Sequence, residues 1–332
     1  MPARPFALLL SFAFVFSAAR AQAVFASRVI AYDTRGGAGG GIFNPSLALG
    51  PPAGPLHVHS LGIGGSLTLG FPVAIEDGPG ADLIVSENCF PVGAMDSFAE
   101  VAFVEVSSNG TDFARFPCAY FGPQVDPGPY GTVPVGLYEN LTGQSPALAP
   151  GDPAADPEDV VEAGGDAFDL SDLSNDPLVL QRRVDLSAIA QVRIVDAVTG
   201  VSLDGRGVRI RDAGAGSADI DAVTALHHAN NHAPNGPSVQ LAARADGTLT
   251  LRLEDPDGWQ DLDPSSLRCA VWGRRLPAGA LLSALAVRAW DATGITLEQP
   301  FPLPPALPYR LSFSLKDRAG HRSGASRSRP DR

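Results

Sequence analysis

The chain has 332 residues, with 36 Asp and Glu against 24 Lys and Arg, a net charge of −12 and only three cysteines. That acidic balance argues against a nucleic-acid partner, which needs a cationic face, and three cysteines are too few for a disulfide scaffold at this length. Gly and Pro, at 36 and 30 residues, interrupt any long helical pattern.

At the N-terminus, Arg4 precedes an apolar run from Phe6 to Phe16, and small residues then give Ala-x-Ala patterns ending at Ala21 or Ala23. This is the layout of a secretory signal over residues 1–23. The run is shorter than the roughly 20 apolar residues needed to span a bilayer. The expected product is secreted or displayed at the cell surface, with no integral membrane segment after signal cleavage.

Beyond the signal, apolar residues come in short runs: 28–33, 56–60, 66–71, 82–86, 100–107, 112–117, 191–198, 208–211 and 220–226. Runs of this length between turn residues predict an all-β sandwich or jelly roll over residues 24–232. Val104-Glu105-Val106 followed by Ser107-Ser108-Asn109-Gly110 reads as a strand entering a type I′ hairpin, with Asn109-Gly110 supplying the positive φ angles. The stretch 123–157 is rich in Pro, Gly and Asp and ends in the acids Asp152, Asp156, Glu158, Asp159 and Glu162. It reads as a long loop, either solvated or ordered by a cation.

The candidate site lies in acids at strand ends. Gly80–Asn88 is an alternating apolar run entered by the turn Asp77-Gly78-Pro79-Gly80, with Asp82 near its start, and left through Glu87 and Asn88. Asp166, Asp169, Asp196, Asp219 and Asp221 likewise sit beside short apolar runs. Calcium takes six to eight oxygens, usually from loops at strand ends. If these ends converge, Asp82, Glu87, Asn88, Asp166, Asp169, Asp196, Asp219 and Asp221 form a structural calcium site; otherwise the acids cap turns by accepting backbone N–H groups. Cys89 follows Asn88 and Cys118 closes the run 112–117, so adjacent strand ends in an oxidising compartment would join them in a disulfide.

A turn-rich linker, Asn230–Pro237, separates a second unit over residues 237–318 with strands at 238–243, 248–254, 267–272, 282–290 and 309–315. Residues 319–332 are basic and polar and read as a disordered tail. Trp259, Trp272 and Trp290 all fall in the second unit; they are core residues or a sugar-stacking platform.

Catalytic motifs were sought as well. No Gly-x-Ser-x-Gly elbow or Ser-x-x-Lys occurs. The pairs His57/His59 and His228/His232 read as surface or packing residues rather than zinc ligands. Paired acids for glycoside hydrolysis are a matter of spatial separation and stay open.

Taken together, 60–69, 78–88, 99–110, 164–170, 184–196 and 217–223 resemble a family of secreted bacterial cell-surface proteins with a calcium-associated jelly-roll-like, galactose-binding-like domain. Leu253-Glu254-Asp255-Pro256-Asp257-Gly258 and Asp317-Arg318-Ala319-Gly320 resemble bacterial immunoglobulin-like and cadherin-like modules. The resemblance implies a jelly-roll-like β-sandwich followed by a smaller immunoglobulin-like β-sandwich. It implies a non-enzymatic binding or adhesion protein facing an extracellular glycan or surface protein. The alternative is a carbohydrate-active enzyme with an accessory immunoglobulin-like domain.

Overall fold

A computed structural model describes residues 23–35, 43–54, 56–93, 96–147, 156–213, 216–231, 236–243, 248–272, 285–298, 309–318 and 321–329. Residues 1–22, which hold all but the last residue of the expected signal, and the singled-out Asp152 and His232 lie outside the described residues.

Strands dominate, and all of their pairings are antiparallel, so the all-β expectation holds. In the first unit, one sheet runs in the order Arg28–Asp33, Ser66–Ile75, Ile189–Asp196, Ala102–Ser107 and Ala114–Arg115. A second sheet runs Val24–Phe25, Asp219–Ala225, Leu83–Glu87 and Asp166–Phe168, with His59–Ser60 also paired to Asp219–Ala225. Alternation explains how they pack, because every second side chain of a strand faces one way. Leu69, Val192 and Val106 are register partners across three strands, as are Leu67, Ile194 and Val104. These rows meet Leu83, Val85, Phe168, Ile220 and Val223 of the second sheet in one buried apolar cluster. Burying a side chain of this size contributes about 1.5–3 kcal/mol, so the rows hold the two sheets face to face.

Segment 117–141 covers the outer face of the first sheet. Phe103 and Val101 pack there with Tyr120, Val133, Leu137, Tyr138 and Leu141 in a second cluster. Part of the stretch read as a long loop is thus apolar cladding, and it carries the short strands Val133–Pro134 and Tyr138–Glu139.

The second unit has one sheet in the order Ser238–Ala243, Leu249–Glu254, Gly294–Glu298 and Ala286–Trp290, and another of Leu262–Trp272, Tyr309–Asp317 and Arg322–Arg329. Their core joins Leu249, Leu251 and Leu253 to Leu311, Phe313 and Leu315. The two units touch: Arg310 reaches Asp166 at 3.1 Å with both side chains buried, and Ala81 N–H donates to the Gly324 carbonyl.

Several expectations need correction. The tail does not stay disordered over 322–329: it pairs along its length with Tyr309–Asp317, from Lys316–Arg322 to Tyr309–Arg329. Its small residues Ser323 and Gly324 fit against the first unit, and Arg322 is neutralised by Asp156. The run 56–60 shortens to His59–Ser60, because a turn closed by His57 N–H on the Gly54 carbonyl takes its start. The run 208–211 is a loop pinned by Asp204, which accepts the N–H groups of Tyr120, Arg206 and Val208. The hairpin after Ser107 is not type I′, since Asn109 is absent from the positive-φ residues. Its side chain instead accepts from Thr111 and Asp112 N–H and builds a longer turn.

Candidate metal centre

Asp82 and Glu87 stand at opposite ends of the strand Leu83–Glu87. At about 3.3 Å per residue this separates them by roughly 16 Å, so the seven acids and Asn88 cannot share one cage. Six of the eight divide between the two ends of the strand.

Local structure assembles the Asp82 end. The turn from Asp77 to Gly80 leads into the strand, and the Asp82 carboxylate accepts Gly78 N–H at 2.7 Å across it. Antiparallel pairing sets Phe168 beside Leu83, and Asp82 N–H donates to the Phe168 carbonyl. That pairing delivers the next residue, Asp169, which caps the 3₁₀ helix Leu170–Leu173 by accepting Ser171 N–H. The second Asp82 oxygen accepts Leu170 N–H at 2.6 Å, and the first also meets His227 Nδ1 at 2.8 Å. Gly165 starts this arm at a φ of +73°, where a Cβ would come within 2.8 Å of Ile84.

One carboxylate oxygen from each of Asp77, Asp82 and Asp169 lies within 4.8 Å of the others. Burial, with Asp82 next, pushes Asp77 up to about 6. Burial pushes Asp169 up to about 7, and Asp82 adds to it. Asp82 is also raised by burial, against the opposing pull of His227 and its amides. Carboxylates held this close favour either a proton or a cation between them. Three oxygen donors with no sulfur or free imidazole suit a hard cation such as calcium. Two Asp82 oxygens offer about four lone-pair positions, and three are taken by Gly78, Leu170 and His227, so it has one left to give. Asp77 is exposed and Asp169 half-buried, which leaves the group open to solvent on one side.

At the Glu87 end the carboxylates are spread out, and most of them accept backbone N–H groups, although Glu87 Oε2 is buried without a hydrogen-bond partner. Glu87 is buried and accepts Asp219 N–H at 3.0 Å; burial drives its pKa well up. Asp219 accepts the Ser60 hydroxyl. Asp196 accepts Gly64 and Ala218 N–H, and burial raises it to about 6. Two acids not singled out from the sequence complete the group. Glu100 is raised to about 8 by burial and by Asp219, Asp212 and Asp196. Asp212 accepts Val101 N–H and is raised to about 7, by burial first. Asn88 N–H donates to the Asp219 carbonyl in the same region.

The remaining two expected ligands lie elsewhere. Asp221 holds the N–H groups of Ala53 and Gly54. Asp166 accepts Gln144 N–H and faces Arg310. Neither is placed with Asp82. Thus Asp82 and Asp169 are the members of the expected set brought together with a third carboxylate. The sequence reading missed Asp77, taken as part of a turn, and His227, whose role depends on Asp82 accepting two N–H groups from the 226–227 backbone.

The disulfide does not form. Cys89, Cys118 and Cys269 are free and buried. Cys118 belongs to the apolar cluster under segment 117–141, whereas Cys89 lies among the charges of Glu87, Asp166 and Arg310. His59, one of the histidines read as packing, is fully buried beside the Tyr32 ring, and burial lowers it to about 4. Among the described residues no helix is long and apolar enough to cross a membrane. No protein-family model matches the chain, and no curated protein does.

Proposed function

We propose that this chain is a secreted or cell-surface binding or adhesion protein without catalytic activity. In this reading a jelly-roll-like sandwich ordered by calcium precedes an immunoglobulin-like module. The observation that carries it is the meeting of Asp77, Asp82 and Asp169. A calcium ion there would tie a turn and the strand start that follows it to a helix cap far along the chain, and so fix one end of the sandwich. The partner is an extracellular glycan or a surface protein. Trp290, 70% exposed on the strand Ala286–Trp290, offers a stacking face to a sugar. The test is a glycan array with and without calcium, on the wild type and Asp169→Asn. Retention that disappears on chelation and in the variant is the expected result. Retention indifferent to both removes calcium from the reading.

A second reading, a carbohydrate-active hydrolase, draws on Glu100. A half-buried carboxyl that stays protonated to about 8 beside other acids has the properties of a general acid. Hydrolysis of a glycan panel by the wild type and not by Glu100→Gln would establish the enzyme and displace the binder.

A further inference from the structure

The second unit carries a carboxylate group that the reading above does not use. The strand Leu249–Glu254 ends in Asp255-Pro256-Asp257-Gly258-Trp259-Gln260-Asp261, two successive turns before the strand Leu262–Trp272. Asp255 N–H donates to the Thr293 carbonyl, which fixes the first residue against the neighbouring strand connection. Pro256 and Gly258 then reverse the chain, with Gly258 at a φ of +109°, a conformation that favours glycine. Gly258 N–H returns to the Asp255 carbonyl, and Asp261 N–H to that of Gly258. The double turn brings one carboxylate oxygen each from Asp255, Asp257 and Asp261 within 4.8 Å of one another.

A tight acid turn alone proves nothing, since acids cap turns. Asp255 differs in being fully buried. Its Oδ1 accepts Asp257 N–H at 2.8 Å, but its Oδ2 is buried without a hydrogen-bond partner. An unsatisfied buried carboxylate oxygen carries the desolvation penalty of a charged acceptor. The charges acting on it most strongly are further acids, Asp261, Asp317 and Asp257. Asp317 does not relieve it, because both of its oxygens are engaged by His321. A cation in the turn would satisfy Oδ2 and neutralise the group at once.

We infer that the turn Asp255–Asp261 is a second cation site, held by the carboxylates of Asp255, Asp257 and Asp261 and suited to calcium. Hard oxygen donors on an irregular turn match calcium's variable coordination better than the strict octahedron of magnesium. Two of the three ligands are on the solvent side, Asp257 exposed and Asp261 half-buried, so an ion has an entry path and water can complete its shell. The ion would lock the connection between the two sheets of the second unit.

Trp259 lies inside the turn and packs against the core of that unit, and all three tryptophans of the chain belong to the second unit. Terbium, an oxygen-seeking calcium probe, should therefore give emission sensitised by Trp259 from this site, and its persistence in Asp169→Asn assigns the emission to the turn and not to the Asp77–Asp82–Asp169 group. The experiment titrates the full secreted chain with terbium and then displaces it with calcium. The expected result is saturable emission, reversed by calcium, with a midpoint at least tenfold weaker in Asp257→Asn/Asp261→Asn. The double variant replaces groups at the surface, and its far-ultraviolet circular dichroism should match the wild type. Should it misfold, Asp257→Asn alone serves, with a smaller but measurable weakening. Trp259→Phe should lose most of the emission yet retain calcium binding by calorimetry. Absence of sensitised emission, emission that calcium does not displace, or an unchanged midpoint in the folded variant overturns the site.

Discussion

The two ends of the strand Leu83–Glu87 both gather acids and use them differently. At the Asp82 end, three carboxylates crowd within 4.8 Å and keep lone pairs to spare. At the Glu87 end, Glu87, Asp196 and Asp212 each accept backbone N–H groups that the sandwich edge leaves unpaired. Such hydrogen bonds contribute about 0.5–1.5 kcal/mol to a neutral carboxyl, the form burial favours for Glu87, and about 1.5–3 kcal/mol to a charged one. The carboxylates of the second end are therefore anchors for loops. The contrast teaches that acid density does not identify a candidate cation site; carboxylate oxygens that converge on one point and stay open to solvent do.

The largest effect should come from the buried pair that sits beside the Glu87 end. Arg310→Ala would leave Asp166 buried without its countercharge, and breaking such a pair costs about 3–5 kcal/mol. Replacing both partners, in Arg310→Met/Asp166→Leu, should restore much of that loss. Urea denaturation midpoints check this; equal midpoints for the single variant and the wild type would mean the pair contributes nothing.

Calcium should act at the other end, and slightly less strongly. An ion bound only by the folded state stabilises by about 2.7 kcal/mol when present at a hundredfold over its dissociation constant. Melting curves should rise by several degrees with calcium, and Asp169→Asn should lose the part of that rise owed to the first unit. Substituting Asp196, an anchor, should lower the melting temperature without changing its calcium dependence. The opposite pattern would move the ion to the Glu87 end.

How much of this was legible in the sequence depends on the range of the interaction. The rows Leu69–Val192–Val106 and Leu67–Ile194–Val104 follow from alternation within single strands, so the all-β architecture could be read from periodicity. Asp82 and Asp169 as a pair could be suspected, since both flank apolar runs. Their meeting required the register that places Phe168 beside Leu83, which no local pattern encodes. Asp77 and His227 were hidden for the same reason. The tail was misread because its strand is built of Ser, Gly and Arg. Its stability comes from backbone pairing with Tyr309–Asp317 and from Asp156, not from apolar residues of its own. The turn Asp255–Asp261 was legible as a turn, but the buried, unpartnered oxygen of Asp255 is a property of the packed structure.

The anchoring acids also predict a pH dependence that separates the two ends. Glu100 and Asp212 have folded-state values raised to about 8 and about 7. A carboxyl raised on folding binds more protons in the native state than in the unfolded chain. Its contribution is complete below the unfolded value and is lost as pH rises through the folded one. Stability in the presence of a chelator should therefore fall between about pH 4 and pH 8. Glu100→Gln, which needs no proton, should flatten that decline up to about pH 8, whereas Asp169→Asn should flatten it only up to about pH 7. A melting temperature that rises over this range would contradict the burial of these groups.

The smallest expected effect concerns the cysteines, and its smallness is informative. Cys89 lies in the charged region by the Glu87 end, where burial and then the charges of Glu87 and Asp166 drive its thiol well above the ordinary value. Burial likewise raises Cys118, which is packed among apolar side chains. Thiols held protonated and away from solvent are poor nucleophiles, so they can stay reduced in an oxidising compartment. A reductant should leave the melting temperature unchanged. Maleimide should label neither thiol in the native protein and all three cysteines after denaturation. A drop of several degrees on reduction, together with a single labelled cysteine in denaturant, would mean that Cys89 and Cys118 are bridged. The strand ends carrying them would then have to lie side by side.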